Sequence, residues 1–264
     1  MYGFPAHKLG YQDSAPLACI SVGVSGSGSN QITYLNANQF QLSVGAPSYS
    51  FGGPPTASPL KLGFKKGDQL LVSGTGPDNG KTFTFTDPDT LTVLETVSST
   101  LDDYDFVALR RLTSGVLTRT GREWLPRLCA WSSVGDPDVS LTEERIRWIG
   151  VGSGGFPMIP DVLTLDSPTE YQSGLYLSDL SAGSSGTISN PTKSTLYVGK
   201  EYSGAEISLT VPVLVSEVGF FVDQNPTLSL NPADSDNPPA LYSSFDGLMK
   251  SSDFNFLAYW TLKF

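Results

Sequence analysis

Gly150, Gly152 and Gly155 stand at the spacing G-x-G-x-x-G, directly after the apolar run Ile146 to Ile149. In a dinucleotide-binding unit such glycines open a helix whose N-terminus holds a pyrophosphate. An acidic residue roughly 20 positions further on then takes the ribose, and Glu170 stands near that place. The residues after the glycines argue against this chemistry. Phe156-Pro157-Met158-Ile159-Pro160 puts a proline past any first helical turn, and no second βα unit follows. The stretch reads instead as a strand leaving a core, its glycines supplying positive φ for a tight, close-packed turn.

Other reactive sets are thin. The single histidine, His7, would have to serve any Ser-His-Asp or Cys-His machine, and nothing places it beside a nucleophile. One His with two distant cysteines, Cys19 and Cys129, does not make a zinc site; the cysteines read as buried free thiols, with a disulfide between them as the alternative. Carboxylates cluster at Asp102-Asp103-Tyr104-Asp105, Asp136-Pro137-Asp138, Glu143-Glu144 and Asp234-Ser235-Asp236-Asn237. None has EF-hand spacing, and Asp-rich turns are the ordinary reading. Asp234, Asp236, Asp102 and Asp103 are the weak calcium candidates. A glycosidase pair has no sequence cue, since its members come from distant strands. Tyr49, Phe51, Tyr171 and Tyr176, set among Gly and Ser, could form a sugar platform or equally serve a core or an interface. No catalytic residue and no cofactor is expected.

The elements that would carry such groups are strands. Of 264 residues, 39% are apolar and only 16% charged, below the roughly 25% usual in soluble domains. With 27 Gly and 19 Pro, this composition suits strands and turns and a surface partly covered by neighbours. The net charge of −10 disfavours nucleic acid as a partner. No basic n-region opens the chain and no run approaches about 18 apolar residues, so a soluble protein assembled inside a cell is expected, without a membrane partner.

In order, residues 1–59 read as an extended N-terminal arm with short strands, Leu17 to Val24 and Gln39 to Val44 among them. Residues 60–110 read as a small barrel-like β module. It has turns at Asp78-Asn79-Gly80 and Asp87-Pro88-Asp89 and alternation at Phe83/Phe85 and Leu91/Val93. Residues 111–144 read as a linker with a short helix, on which Leu112, Val116 and Leu117 recur at loosely helical spacing and arginines concentrate. Those arginines serve either an acidic neighbouring subunit or a solvated helix face. Residues 145–264 read as a larger antiparallel β-sandwich, jelly-roll-like, with strands at Val162/Leu165, Tyr171 to Leu177 and Thr195 to Val198. Ile207 to Val215 and Val218 to Val222 present faces offset by one residue, which predicts a β-bulge at Ser216-Glu217. Pro212 predicts an edge position there. Phe254, Phe256, Ala258, Trp260, Leu262 and Phe264 share one face of a closing strand that must be paired in the sheet.

Several segments resemble tailed-bacteriophage virion proteins. Glu144 to Gly152 (E-R-I-R-W-I-G-V-G) followed by Leu163 to Pro168 (L-T-L-D-S-P) is similar to one virion segment. Val215-Ser216-Glu217-Val218-Gly219-Phe220-Phe221 resembles the (T/S)-E-(V/I/A)-G-(L/F)-F signature of tail, collar and baseplate-associated proteins, and Tyr242 to Phe264 continues the pattern. The resemblance spans 60–264 loosely and 144–264 best, and carries no catalytic residue across. It implies a non-enzymatic virion component, made in the host cytoplasm, that forms a trimer or hexamer and docks onto other virion proteins. Tail, neck or baseplate is favoured, with capsid decoration close behind. Phe51, Arg119, Arg122, Trp124, Arg127, Trp148, Phe220 and Phe221 are the interface candidates. The rival reading is a carbohydrate-binding adhesin with a host glycan as partner, and after it a glycan hydrolase.

Overall fold

The structure, a computed structural model, describes residues 18–26, 31–43, 59–74, 78, 80–97, 104–123, 146–172, 174–180, 186–192, 195–207, 212–222, 238–251 and 254–263. Over these residues the chain is nearly all β. The strands are β1 (Ala18–Gly26), β2 (Gln31–Asn36), β3 (Gln39–Ser43), β4 (Gln69–Gly74), β5 (Thr82–Asp87), β6 (Thr92–Val93), β7 (Tyr104–Ser114), β8 (Val116–Leu117), β9 (Ile146–Gly152), β10 (Pro168–Thr169), β11 (Leu177–Asp179), β12 (Gly186–Thr192), β13 (Thr195–Tyr202), β14 (Val213–Val222), β15 (Leu241–Lys250) and β16 (Phe254–Lys263). A 3-10 turn covers Pro59–Leu62 and a short helical turn covers 119–123.

The strands form two antiparallel sheets. The larger runs β12-β13-β16-β1-β7-β2-β3-β6-β5-β4, and β4 also pairs with β7. The ladders therefore return to β7, and β7, β2, β3, β6, β5 and β4 curl into a barrel-like module. Its seams are thin: β3 meets β6 at Gln39↔Thr92 alone, and β2 meets β7 at two residue pairs. Inside, Phe83 and Phe85 are buried while Thr82, Thr84 and Thr86 face outward in part, the period-two pattern of a half-buried strand. The Phe83 ring meets Phe40 edge-on with centroids 5.2 Å apart. The Asp87 turn is fastened by its own carboxylate, which accepts the Asp89 N–H at 3.0 Å and the Thr90 hydroxyl at 2.9 Å.

The smaller sheet runs β10-β9-β14-β15-β8, with β11 also on β9. Its inner face packs on the larger sheet as a sandwich, with Phe220 against Trp260 at 5.9 Å between centroids. The apolar core is continuous from Phe83 and Phe85 in the module to Val218, Phe220 and Trp260 in the sandwich. Residues 60–110 and 145–264 thus share one core. Strands from the 145–264 stretch also lie in both sheets.

Several expectations hold. Phe254, Phe256, Ala258 and Trp260 are buried on one face of β16, which is paired on both sides, by β13 and β1. The register of β14 against β15 shifts between Val215 and Glu217, where the bulge was expected. The extra residues, however, belong to β15: from Val215↔Leu248 to Glu217↔Ser244, β14 advances two positions and β15 four. Other expectations fail. The strands expected at Leu17 to Val24 and Gln39 to Val44 are present as β1 and β3, but β1 is an inner strand between β16 and β7 and not part of an extended arm, because Val22 and Val24 supply core side chains. Residues 111–114 belong to β7 rather than to a helix, with Leu109 and Arg111 buried and Leu112 exposed at period two. Val162 and Leu165 lie in a loop, buried without being strands. Ile207 lies outside β14, at φ 69°.

Candidate functional site

The candidate site grows from the stretch after β9. The chain leaves Gly152, returns as β10 at Pro168, and is closed at its base by Ser153 N–H donating to Ser167 O at 2.9 Å. Residues 153–167 form a strap over the outer face of the smaller sheet. Val162 and Leu165 of the strap pack with Trp148, Leu177, Phe221 and Tyr242 in a second, smaller core. Gly150 and Gly219 face each other across β9 and β14 and leave the floor flat there. A Cβ on Gly150 would lie 2.9 Å from Leu177, and one on Gly219 3.0 Å from Leu165. Gly152 is tighter still: its Cβ would run into Glu217 Oε1 and lie 2.5 Å from Ser167 O.

Of the three glycines of the G-x-G-x-x-G spacing, Gly152 is therefore the one needed for close approach; a Cβ on Gly150 would meet only side-chain ends, that of Leu177 nearest, and one on Gly155 would lie 3.3 Å from Ser244 Cβ. Positive φ is found at Gly63, Gly67, Gly80 and Gly174 and at none of these three, which corrects the turn geometry expected from sequence. Gly152→Ala should lower stability by about 1–3 kcal/mol, the usual range for overpacking a filled site. Urea denaturation measures it, and an unchanged midpoint would contradict the close-approach account.

Under the strap lies Glu217, fully buried. Its Oε1 accepts the Ser167 N–H at 2.8 Å, and its Oε2 accepts the Asp166 N–H and the Tyr242 hydroxyl, both at 3.0 Å. The Tyr242 oxygen in turn accepts the Phe156 N–H at 2.7 Å. Burial first, then the adjacent Glu217 charge, push the Tyr242 pKa well above the usual phenol range, so Tyr242 stays a donor. Ser216 Oγ donates to Gly154 O at 2.6 Å and Ser244 Oγ to Phe156 O at 2.9 Å. Side chains of β14 and β15 thus satisfy the backbone of a segment that has no ladder of its own.

Between the strap and the bulge of β15 is an open groove of about 450 Å³, lined by Gly154, Gly155, Asp166, Ser244, Phe245 and Asp246. Asp166 Oδ2 accepts the Gly155 N–H at 3.1 Å. Asp246 pairs with Lys65, whose hydrogen bond holds the Asp246 carboxyl below its usual range. Glycoside hydrolysis needs one carboxyl raised so that it can deliver a proton. Asp246 is tuned the other way.

Behind the bulge, Arg111 reaches in from β7. Its Nε donates to both Asp68 oxygens at 3.1 Å, and its Nη2 to Asp68 Oδ2 and to Gly63 O, both at 2.6 Å. Its Nη1 donates to Asp246 O at 2.5 Å. Asp68 Oδ2 also accepts the Lys65 N–H at 2.8 Å. Gly63 (φ +92°) sits so close that a Cβ would strike Gly247 O. One side chain joins the barrel-like module, the 3-10 turn and the bulge. A third polar cluster lies within the sandwich, where buried Lys200 pairs with Glu206 at 3.2 Å beside the Tyr202 ring, and Lys250 Nζ donates to Ser251 O at 2.7 Å.

Of the interface candidates, Trp148, Phe220 and Phe221 are corrected. They are 3%, 0% and 0% exposed, because β9 and β14 are covered on both faces, by the larger sheet and by the strap. Arg119 and Arg122 are exposed on the helical turn, Arg119 paired with Glu123 at 3.3 Å. Phe51, Trp124 and Arg127 lie outside the described residues, as do His7, Cys129, Tyr49 and the calcium candidates Asp234, Asp236, Asp102 and Asp103. Tyr171 turns toward Tyr202 at 6.2 Å and packs on the core, while the Tyr176 hydroxyl bonds Glu170. Among the described residues no group of three His, Cys, Asp or Glu is placed to hold a metal. No helix among them is long and apolar enough to cross a membrane.

No family model, curated protein or solved structure matches the chain.

Function therefore has to be read from the site itself. Glu217, Tyr242 and Asp68 are the residues that sequence reasoning passed over as carriers of a role, while Arg111, expected among the arginines that face an acidic neighbour or solvent, is buried on Asp68 and two carbonyls. One signal marks Arg111: it stands two positions from buried Leu109, in the inward phase of β7, whereas Glu217 follows the phase slip and shares the strap-facing side of β14 with Phe221. Their chemistry is to hold backbone in place.

Proposed function

We propose that this chain is a non-enzymatic structural component of a tailed-phage virion. It oligomerises, as a trimer or hexamer, and docks onto other virion proteins at the tail, neck or baseplate, with capsid decoration as the second position. The observation that carries this reading is the strap. Its inner side is fixed by Glu217, Tyr242 and Ser244, while Met158, Ile159 and Leu163 on its other side face solvent. A firmly held apolar loop suits contact with other proteins more than turnover of a substrate. The resemblance of 144–264 to virion proteins supports it, since the matching Glu217 and Gly219 serve the strap. Immunogold labelling of purified particles tests the reading: label at one fixed position on the virion is expected. Full-length protein found only in the cleared lysate, with none on particles, would refute it.

A second reading, a carbohydrate-binding adhesin, is favoured by the groove alone. Phe245 offers an apolar face beside the carboxylates of Asp166 and Asp246. A glycan array separates the two, because a purely structural component leaves every spot blank.

A further inference from the structure

Within the strap, residues 157–163 make a compact turn, with Ile159 N–H donating to Pro157 O at 2.8 Å and Val162 N–H to Ile159 O at 3.4 Å. Val162 points into the second core, which leaves Met158, Ile159 and Leu163 outward at 42%, 50% and 55% exposure. The helical turn 119–123 lies against it. Thr118 caps that turn, its hydroxyl accepting the Gly121 N–H at 3.3 Å, and the Arg119 N–H donates to Pro160 O at 2.8 Å. The apolar centre is thereby flanked by the exposed cations Arg119 and Arg122 and by the exposed carboxylates Asp161 and Glu123.

We infer that this face is the contact with a second copy of the same chain, related by a two-fold axis, which selects the hexamer, built as two trimers face to face, over the lone trimer. The charges decide the occupant. A two-fold contact sets a patch against itself, so it needs apolar residues at its centre and both signs beside them, each cation meeting the other copy's carboxylate. Met158, Ile159 and Leu163 with Arg119, Arg122 and Asp161 meet that requirement. A polyanion would meet too few cations on a chain of net charge −10. The Arg119–Glu123 pair is mostly in solvent and exchanges at little cost for a partner across the axis.

This inference rests on the assembly reading above, and the test keeps the two apart. Sedimentation equilibrium on the full chain should show self-association that Ile159→Asp with Leu163→Asp weakens at least about tenfold, the far-UV spectrum being unchanged. Asp161→Arg alone should weaken it, and adding Arg119→Asp and Arg122→Asp should restore it, a rescue that a merely misfolded variant cannot give. Association that ignores both sets of substitutions overturns this contact while leaving the assembly reading standing on another surface. A wild-type chain that stays monomeric at every concentration, yet loses its place on particles when Ile159 and Leu163 are changed, also overturns it and assigns the strap to a different virion protein.

Discussion

Glu217→Ala is expected to destabilise the fold by about 3–5 kcal/mol. Three donors, the Asp166 and Ser167 amides and the Tyr242 hydroxyl, lose their only described acceptor in one step. Each buried donor left bare costs about 1–3 kcal/mol, and partial lifting of the strap toward water limits the sum. Glu217→Gln with its oxygen in the place of Oε2 keeps the acceptor of the Asp166 N–H and the Tyr242 hydroxyl, and leaves only the Ser167 N–H facing an amide nitrogen. Its cost should be nearer 1–2 kcal/mol. Urea denaturation orders the pair. Fluorescence adds a second readout, since Trp148, one of four tryptophans, lies under the strap and should add to acrylamide quenching in the alanine variant before global unfolding. Equal midpoints for wild type and Glu217→Ala would remove the strap's claimed anchor.

Arg111→Met should cost a similar amount, about 3–5 kcal/mol, because removing one partner of a buried ion pair strands the other. Asp68 would remain with its carboxylate buried, and the carbonyls of Gly63 and Asp246 would lose their donors. Arg111→Lys should recover little, since one ammonium cannot span three acceptors that the planar fork reaches together. A double-mutant cycle with Asp68→Asn should give a coupling energy of at least about 1 kcal/mol by chemical denaturation. Additive effects would show that Arg111 acts through packing against Phe64 and not through the pair.

Much of this fold could be read from the chain, and the reasons are local. β5 and β16 announce themselves because each has one covered and one open face, and period two survives translation into sequence. The register shift at Glu217 was visible as a change of phase. Which strand holds the surplus was not, because that depends on β15, a partner distant in sequence. β14 and β9 hid their orientation for another reason. The strap covers the second face, so Trp148 and Phe221 look like surplus apolar residues available to a neighbour when they are core. The site was least legible. A charged residue in a strand reads as solvent-facing, and only a tertiary partner, Asp68 for Arg111 or the strap amides for Glu217, reverses that reading. The glycines drew attention rightly, though their cause is what lies above them and not their own φ.

The pairing of β1 with β16 carries a consequence for biosynthesis. Ala18 sits opposite Leu262 and Gly26 opposite Phe254, so a strand at the heart of the larger sheet is translated long before one of its neighbours. While ribosomes extend the polypeptide, the flank of β1 that awaits β16 stays bare, and so does that of β13. Such long-range closure is slow, and bare flanks invite joining between nascent chains. Products of premature termination before Phe254 should therefore accumulate as aggregates, and a chaperone would act during the interval before β16 leaves the ribosomal tunnel.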